Sequence, residues 1–235
     1  MKGRTVVLIG GGSGIGFEVA RRVVEAGGHV VLGGRTPEKL AAAAESLGDA
    51  EWRVVDTGDQ ESLAAFFAPL SRVDHLFTTA ATYRTGPMRE LSDEDAESPF
   101  ASKFWGQYHA VKHAAPKLDP GGSVVLMAGA ASVRPPGPAP AYVACNAAIE
   151  GLGRGLAVEL APVRVNVVSP GTIDGNLWSQ RPEAVREAAF GQYRRDTLLH
   201  RVGTEADVAQ AVFFLFTNEF MTGSTVYPDG GYGLR

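Results

Sequence analysis

Little in this sequence of 235 residues could cross-link it or carry it into a bilayer. Cys145 is the only cysteine, so no internal disulfide can form, and an unpaired thiol fits a reducing compartment. No apolar stretch free of charge and proline reaches the about eighteen residues of a membrane helix. The run from Thr5 to Ile9 is too short for a signal-peptide core. No membrane partner and a cytoplasmic location are therefore expected. Surplus positive charge is also missing: the formal net charge is -4, whereas nucleic acid and anionic membranes reward clustered Lys and Arg, so no nucleic-acid partner is expected. Lysine is scarce, 5 against 17 arginines, and that imbalance carries no functional reading.

The composition that remains, 45% hydrophobic and 20% charged, excludes disorder, collagen-like repetition and small disulfide scaffolds. Apolar runs of strand length recur at 6–9, 30–32, 53–55, 73–78, 124–127, 163–168 and 224–227. Helical spacing fills 14–26, 37–47, 60–70, 99–118, 141–160 and 204–217. Continuous Val/Ile/Leu strands separated by helices predict a parallel sheet covered on both faces. The alternation never breaks for a linker or a repeat, so 1–235 is expected to be a single domain. Two interruptions stand out. Arg134-Pro-Pro-Gly-Pro-Ala-Pro140 is expected to be a stiff loop between a strand and a helix, because its prolines lack donors and fix φ. Residues 172–200, with Trp178, Phe190, Tyr193, Leu198, Leu199 and a helix started by Pro182, are expected to form a substrate cover with exposed aromatics.

The first strand runs into Gly10-Gly-Gly-Ser-Gly-Ile-Gly16 and then a helix. That arrangement supplies the backbone amides and positive helix end that a pyrophosphate needs. Gly10 allows the tight turn, Gly14 the close approach of phosphates, and Gly16 the packing of helix on strand. Asp56 follows the third strand, Tyr142 begins a long helix, Arg164-Val-Asn166 leads to Ser169-Pro-Gly171, and Asp229-Gly-Gly231 lies near the end. With its G-x-x-x-G-x-G spacing, this set resembles the short-chain dehydrogenase/reductase family over nearly the whole chain. The resemblance implies a doubly wound, Rossmann-type α/β domain with a seven-stranded parallel sheet. It implies a nicotinamide dinucleotide held by Gly10, Gly12, Ser13, Gly14, Ile15, Gly16, Arg35, Thr36, Asp56, Thr57, Ala80, Ala81, Asn146, Pro170, Gly171 and Ile173. It also implies a homodimer or homotetramer built on the two long helices. Arg35 and Thr36 follow the second strand, where NAD-preferring members carry an Asp; a guanidinium there favours the 2'-phosphate, so NADP(H) is the expected cofactor.

The catalytic positions depart from the family's Asn, Ser, Tyr and Lys. Tyr142 stands where expected, but Tyr142-Val-Ala-Cys-Asn146 puts Asn146 at the lysine position. Lys103-Phe-Trp-Gly106, with Pro116 following, puts Lys103 at the asparagine position. Asn and Lys have changed places. The serine position falls on Gly129, and Ser132 is the nearest hydroxyl. Thr78-Thr-Ala-Ala81 resembles a degraded N-N-A-G, and Gly175 stands where many members have a threonine. At pH 7 only on the order of one free tyrosine in a thousand is phenolate, and a close cation raises that fraction. From the opposite helix, Lys103 can bring that cation to Tyr142, while Asn146 can hold a ribose hydroxyl. The expected activity is hydride transfer between NADP(H) and a carbonyl or alcohol substrate, with Tyr142 as proton donor. The alternative is a protein that binds NADP but has lost catalysis, a sensor or structural subunit. His109 and His113 have metal-ligand spacing but no third ligand in reach, so no metal is expected. Cys145 is expected to be a buried small hydrophobe.

Overall fold

The computed structural model describes residues 1–48 and 50–235. In chain order the elements begin with β1 (Thr5–Ile9), α1 (Gly14–Glu25), β2 (His29–Gly34), α2 (Pro37–Leu47), β3 (Ala50–Val54), α3 (Gln60–Phe67) and β4 (Val73–Thr78). There follow α4 (Asp93–Ser98), α5 (Trp105–Ala114), β5 (Leu118–Met127), α6 (Pro140–Glu159), β6 (Arg164–Val168), β7 (Ile173–Asp174), α7 (Asn176–Ser179), α8 (Glu183–Asp196), β8 (Gly203–Thr204), α9 (Glu205–Thr217) and β9 (Thr225–Val226). Seven strands form one parallel sheet in the order β3-β2-β1-β4-β5-β6-β9.

Val6, Val7, Leu8 and Ile9 of β1 are all buried, and alternation along a strand sends them to opposite faces. Val7 and Ile9 join a core with Leu63, Phe66, Val111 and Ile149, under α3, α5 and α6. Val6 and Leu8 join a second core with Val19, Leu40, Val212 and Phe216, under α1, α2 and α9. The chain builds outward from β1 through β2 to β3, then returns to place β4 on β1's other side. That reversal opens a crevice at the carboxyl ends of β1 and β4, the place where such sheets bind ligands.

The structure corrects several expected elements. The helix expected over 99–118 is divided into a π-helical turn over Pro99–Phe104 and α5, with α4 preceding it. Pro116 lies in a short 3-10 turn, and the chain is extended from Leu118. β5 thus begins earlier than its apolar run, over Asp119-Pro-Gly-Gly, where no hydrophobic pattern marks it; its register against β4 shifts between Val73 and His75. The parallel pair of β7 with β8 was not expected, and it ties together the two ends of the 172–200 insertion. α8 starts after Pro182 as expected, but its aromatics are not exposed. Phe190 and Tyr193 are buried. The Tyr193 hydroxyl donates to the Asp229 carbonyl at 2.8 Å, and its ring stacks on Tyr232. Their apolar area is spent anchoring the insertion. Among the described residues no helix is long and apolar enough to cross a membrane.

Candidate active site

The glycine turn sits at the crevice. Gly10 has φ +91°, and a Cβ there would overlap the Thr79 hydroxyl and stand 3.0 Å from the Ala80 nitrogen, so the ends of β1 and β4 can close up only around glycine. A Cβ on Gly16 would overlap the Gly10 carbonyl, which is how α1 packs against the turn. Gly12 lies against Leu40, and Ile15 is half-buried at the start of α1. Ser13 precedes α1 without accepting a side-chain hydrogen bond from its first turn. Those amides are left unmatched by the capping residue, and with the positive helix end they suit an anion. Arg35 is exposed just beyond β2, and its Nη2 donates to Thr82 Oγ1 at 2.8 Å, beyond the end of β4. Thr36 caps α2 by position, Asp56 is exposed beyond β3, and Thr57 is buried against Gly106. Ala80 and Ala81 follow β4, Pro170 and Gly171 follow β6, and Ile173 opens β7. A glycine-lined turn, an uncapped helix start and a nearby guanidinium fit a nicotinamide dinucleotide. One group opposes it: Glu205 Oε1 accepts from the Asn176 amide at 3.3 Å and lies 3.2 Å from where a Cβ on Gly14 would stand.

The exchanged pair meets. Lys103 lies on the π-helical turn and is 4% exposed; its Nζ donates to Asn146 Oδ1 at 2.6 Å and to the Ala128 carbonyl at 2.8 Å. The same nitrogen stands 5.4 Å from the centroid of the Tyr142 ring. Gln107, one helical turn on, holds this geometry: its Nε2 donates to the carbonyls of Lys103 and Met127, and its Oε1 accepts from the Met127 amide. Asn146 is fully buried, and its Nδ2 donates to the Tyr142 carbonyl at 2.7 Å. Both ends of its amide are engaged inside the protein. This side chain orients Lys103, and its second amide hydrogen and second lone pair are what the expected ribose contact would use.

Ser132 is engaged by Glu150. Its hydroxyl donates to Glu150 Oε1 at 2.6 Å, and Glu150, buried on α6, also accepts from Ser169 at 2.7 Å and from the Tyr227 hydroxyl at 2.9 Å. Three hydroxyls satisfying one buried carboxylate hold Ser132 in that network. Gly129, at the serine position, faces the site instead, since a Cβ there would stand 3.4 Å from Tyr142 Oη and 3.2 Å from Asn146 Oδ1. Sequence reasoning missed Gln107, Glu150, Glu205 and Tyr83. Tyr83 follows β4, and its ring stacks on that of Tyr142 with centroids 5.2 Å apart. Burial, with Tyr142 alongside, pushes its phenol well above the usual range. Cys145 is fully buried, its Sγ directed at the Pro99 carbonyl, and burial pushes its thiol up.

The family described as enoyl-(acyl carrier protein) reductase matches residues 10–233. The oxidoreductase asL5 of Sarocladium schorii is 30% identical, the match covering 98% of this chain and 96% of that protein. A small-chain dehydrogenase solved in complex with NADPH superposes with a TM-score of 0.86 at 30% identity, covering 100% of both chains. An NADPH-bound short chain oxidoreductase from Pseudomonas aeruginosa PAO1, described as containing an atypical catalytic center, superposes with a TM-score of 0.89 at 27% identity, covering 97% of this chain and 96% of that one.

Proposed function

The chain belongs to the short-chain dehydrogenase/reductase family, and from that membership we propose that it is an NADP(H)-dependent oxidoreductase interconverting a small-molecule carbonyl and its alcohol. The observation that carries this reading is the ammonium of Lys103, buried beside the Tyr142 ring and fixed there by Asn146. The turn from Gly10 to Gly16 holds the pyrophosphate, Arg35 binds the 2'-phosphate, and residues 172–200 cover the substrate. When bound, the nicotinamide supplies the hydride.

Everything else falls to the chain's own side chains. Tyr142 gives its phenolic proton to the carbonyl oxygen during reduction and takes one from the alcohol during oxidation. Lys103 stabilises the negative charge left on the phenol oxygen, and a desolvated site strengthens that attraction. Of its three donors two are already used, by Asn146 and Ala128, which leaves one for a ribose hydroxyl. Ser132 has no part in this scheme.

The test is NADPH oxidation by the purified protein over a panel of ketones and aldehydes. Tyr142→Phe should lower the rate about a hundredfold or more while NADPH still binds. Full activity in Tyr142→Phe together with its loss in Lys103→Met would show that the tyrosine is not the proton donor. NADPH binding without turnover of any carbonyl would favour the sensor or structural reading.

A further inference from the structure

A phosphate presents its terminal oxygens in several directions, whereas a planar guanidinium meets them only edge-on, along its fork. A second donor arriving from another side adds discrimination that the charge of Arg35 does not supply by itself. The loop after β4 brings one.

The sheet order β2-β1-β4 sets the ends of β2 and β4 on either side of β1, with Gly33, Ile9 and Thr78 in register. The glycine turn leaves β1 between them. Arg35 follows β2, Thr82 follows β4, and their side chains meet across the line of β1, where Arg35 Nη2 donates to Thr82 Oγ1 at 2.8 Å. Both residues are exposed at the crevice. Accepting this bond occupies one lone pair of the threonine oxygen and leaves its own O–H to donate. Thr82 is also held from its other side. The ring of Tyr83, next in the chain, stacks on that of Tyr142 with centroids 5.2 Å apart, and the Arg84 amide donates to Ser98 Oγ at 2.9 Å on α4. A donor fixed in advance loses little freedom when it engages a ligand.

We propose that Thr82 is a specificity-determining residue for the cofactor: its hydroxyl donates to the same 2'-phosphate that Arg35 pairs with, and so shares in selecting NADP(H) over NAD(H). This rests on the NADP(H) oxidoreductase reading above. In NAD(H) the 2' position carries a neutral hydroxyl, a weaker acceptor than a phosphate oxygen, since hydrogen bonds to charged groups are the stronger ones. The threonine hydroxyl therefore contributes more to the phosphorylated cofactor than to the plain one.

Ligands without a nicotinamide test this independently of hydride transfer. Calorimetric titration of the whole protein with adenosine 2',5'-bisphosphate and with AMP isolates the 2'-phosphate, and the parent should bind the bisphosphate more tightly. Thr82→Val keeps the shape of the side chain and removes the hydroxyl; it should weaken the bisphosphate about tenfold and leave AMP unchanged. Thr82→Ser, which keeps the hydroxyl, should bind both ligands as the parent does. Thr82→Ala is the second probe if Thr82→Val does not fold. A folded variant lacking the hydroxyl that keeps the parent's preference, or loses affinity for both ligands equally, overturns the proposal and leaves the NADP(H) reading in place. Tighter bisphosphate binding in that variant overturns it too, because the bond from Arg35 to Thr82 would then be a latch that the nucleotide has to break. A parent that binds the two ligands alike removes the NADP(H) reading and the proposal with it.

Discussion

A lysine and an asparagine can trade places between two helices and still meet, because the lysine stem is long enough to carry its charge across the gap. The exchange was visible from the spacing around Lys103 and Asn146, and the contact of 2.6 Å between them follows it. Glu205 was not visible: nothing in Thr204-Glu-Ala-Asp207 says that its carboxylate turns toward Gly14 instead of solvent. That carboxylate lies where phosphate charge would have to approach, so Glu205→Gln should tighten NADPH binding by about fivefold at low salt. Arg35→Glu should weaken NADPH far more than NADH. Fluorescence titration with both nucleotides reads both effects; equal losses for the two in Arg35→Glu would remove the 2'-phosphate assignment, and an unchanged affinity in Glu205→Gln would mean the side chain swings clear at no cost.

The strands and helices show how far periodicity carries. β1, aliphatic after Thr5, and β4, with Val73, Leu76 and Phe77, were legible as strands, while the first half of β5 was not, because Asp119-Pro-Gly-Gly has no side-chain pattern for a sheet to impose. The π-helical turn that carries Lys103 was equally hidden, since an extra residue in a helical turn changes no composition. β4 also carries a titration. His75 is 4% exposed, hydrogen-bonded to Ser123 Oγ at 2.8 Å and stacked on Phe216 of α9. Burial pushes its imidazole down to about 4, from an ordinary value of 6.5. Between those values the unfolded chain binds the proton and the folded one does not. Stability therefore falls as pH drops from about 6.5 to about 4, by up to roughly 3 kcal/mol. Chemical denaturation across that range should show a shallower pH dependence in His75→Gln; the same slope as the parent would mean that His75 does not titrate alone.

Across the assembled fold, two layers of helix seal the sheet, and the outer face of α6 remains. Ala144, Ala147, Gly155 and Val158 are exposed there, with Val158 at 82%. Small side chains permit close approach of another helix, at some cost in helix propensity. The family resemblance implies a homodimer or homotetramer through this region, and Ala147→Arg should shift sedimentation toward monomer by placing a long charged side chain in a close contact. A parent protein that sediments only as monomer at micromolar concentration would remove the basis for that expectation.

Chain order and chemistry of the cofactor end were written locally: a strand, a glycine turn, a helix, and an arginine after the next strand, each recognisable because backbone constraints act over a few neighbouring residues. The exchange of Lys103 and Asn146 could likewise be read from position along two helices. Which side chain stands beside Tyr142 was decided only by tertiary packing. Ser132 is nearer to it in sequence, yet Ser132 is turned to Glu150 by a network drawn from α6 and the residues after β6 and β9, while Tyr83 arrives from the loop after β4. The direction of a loop side chain is set by the partners that satisfy its polar atoms, and those partners are distant in sequence.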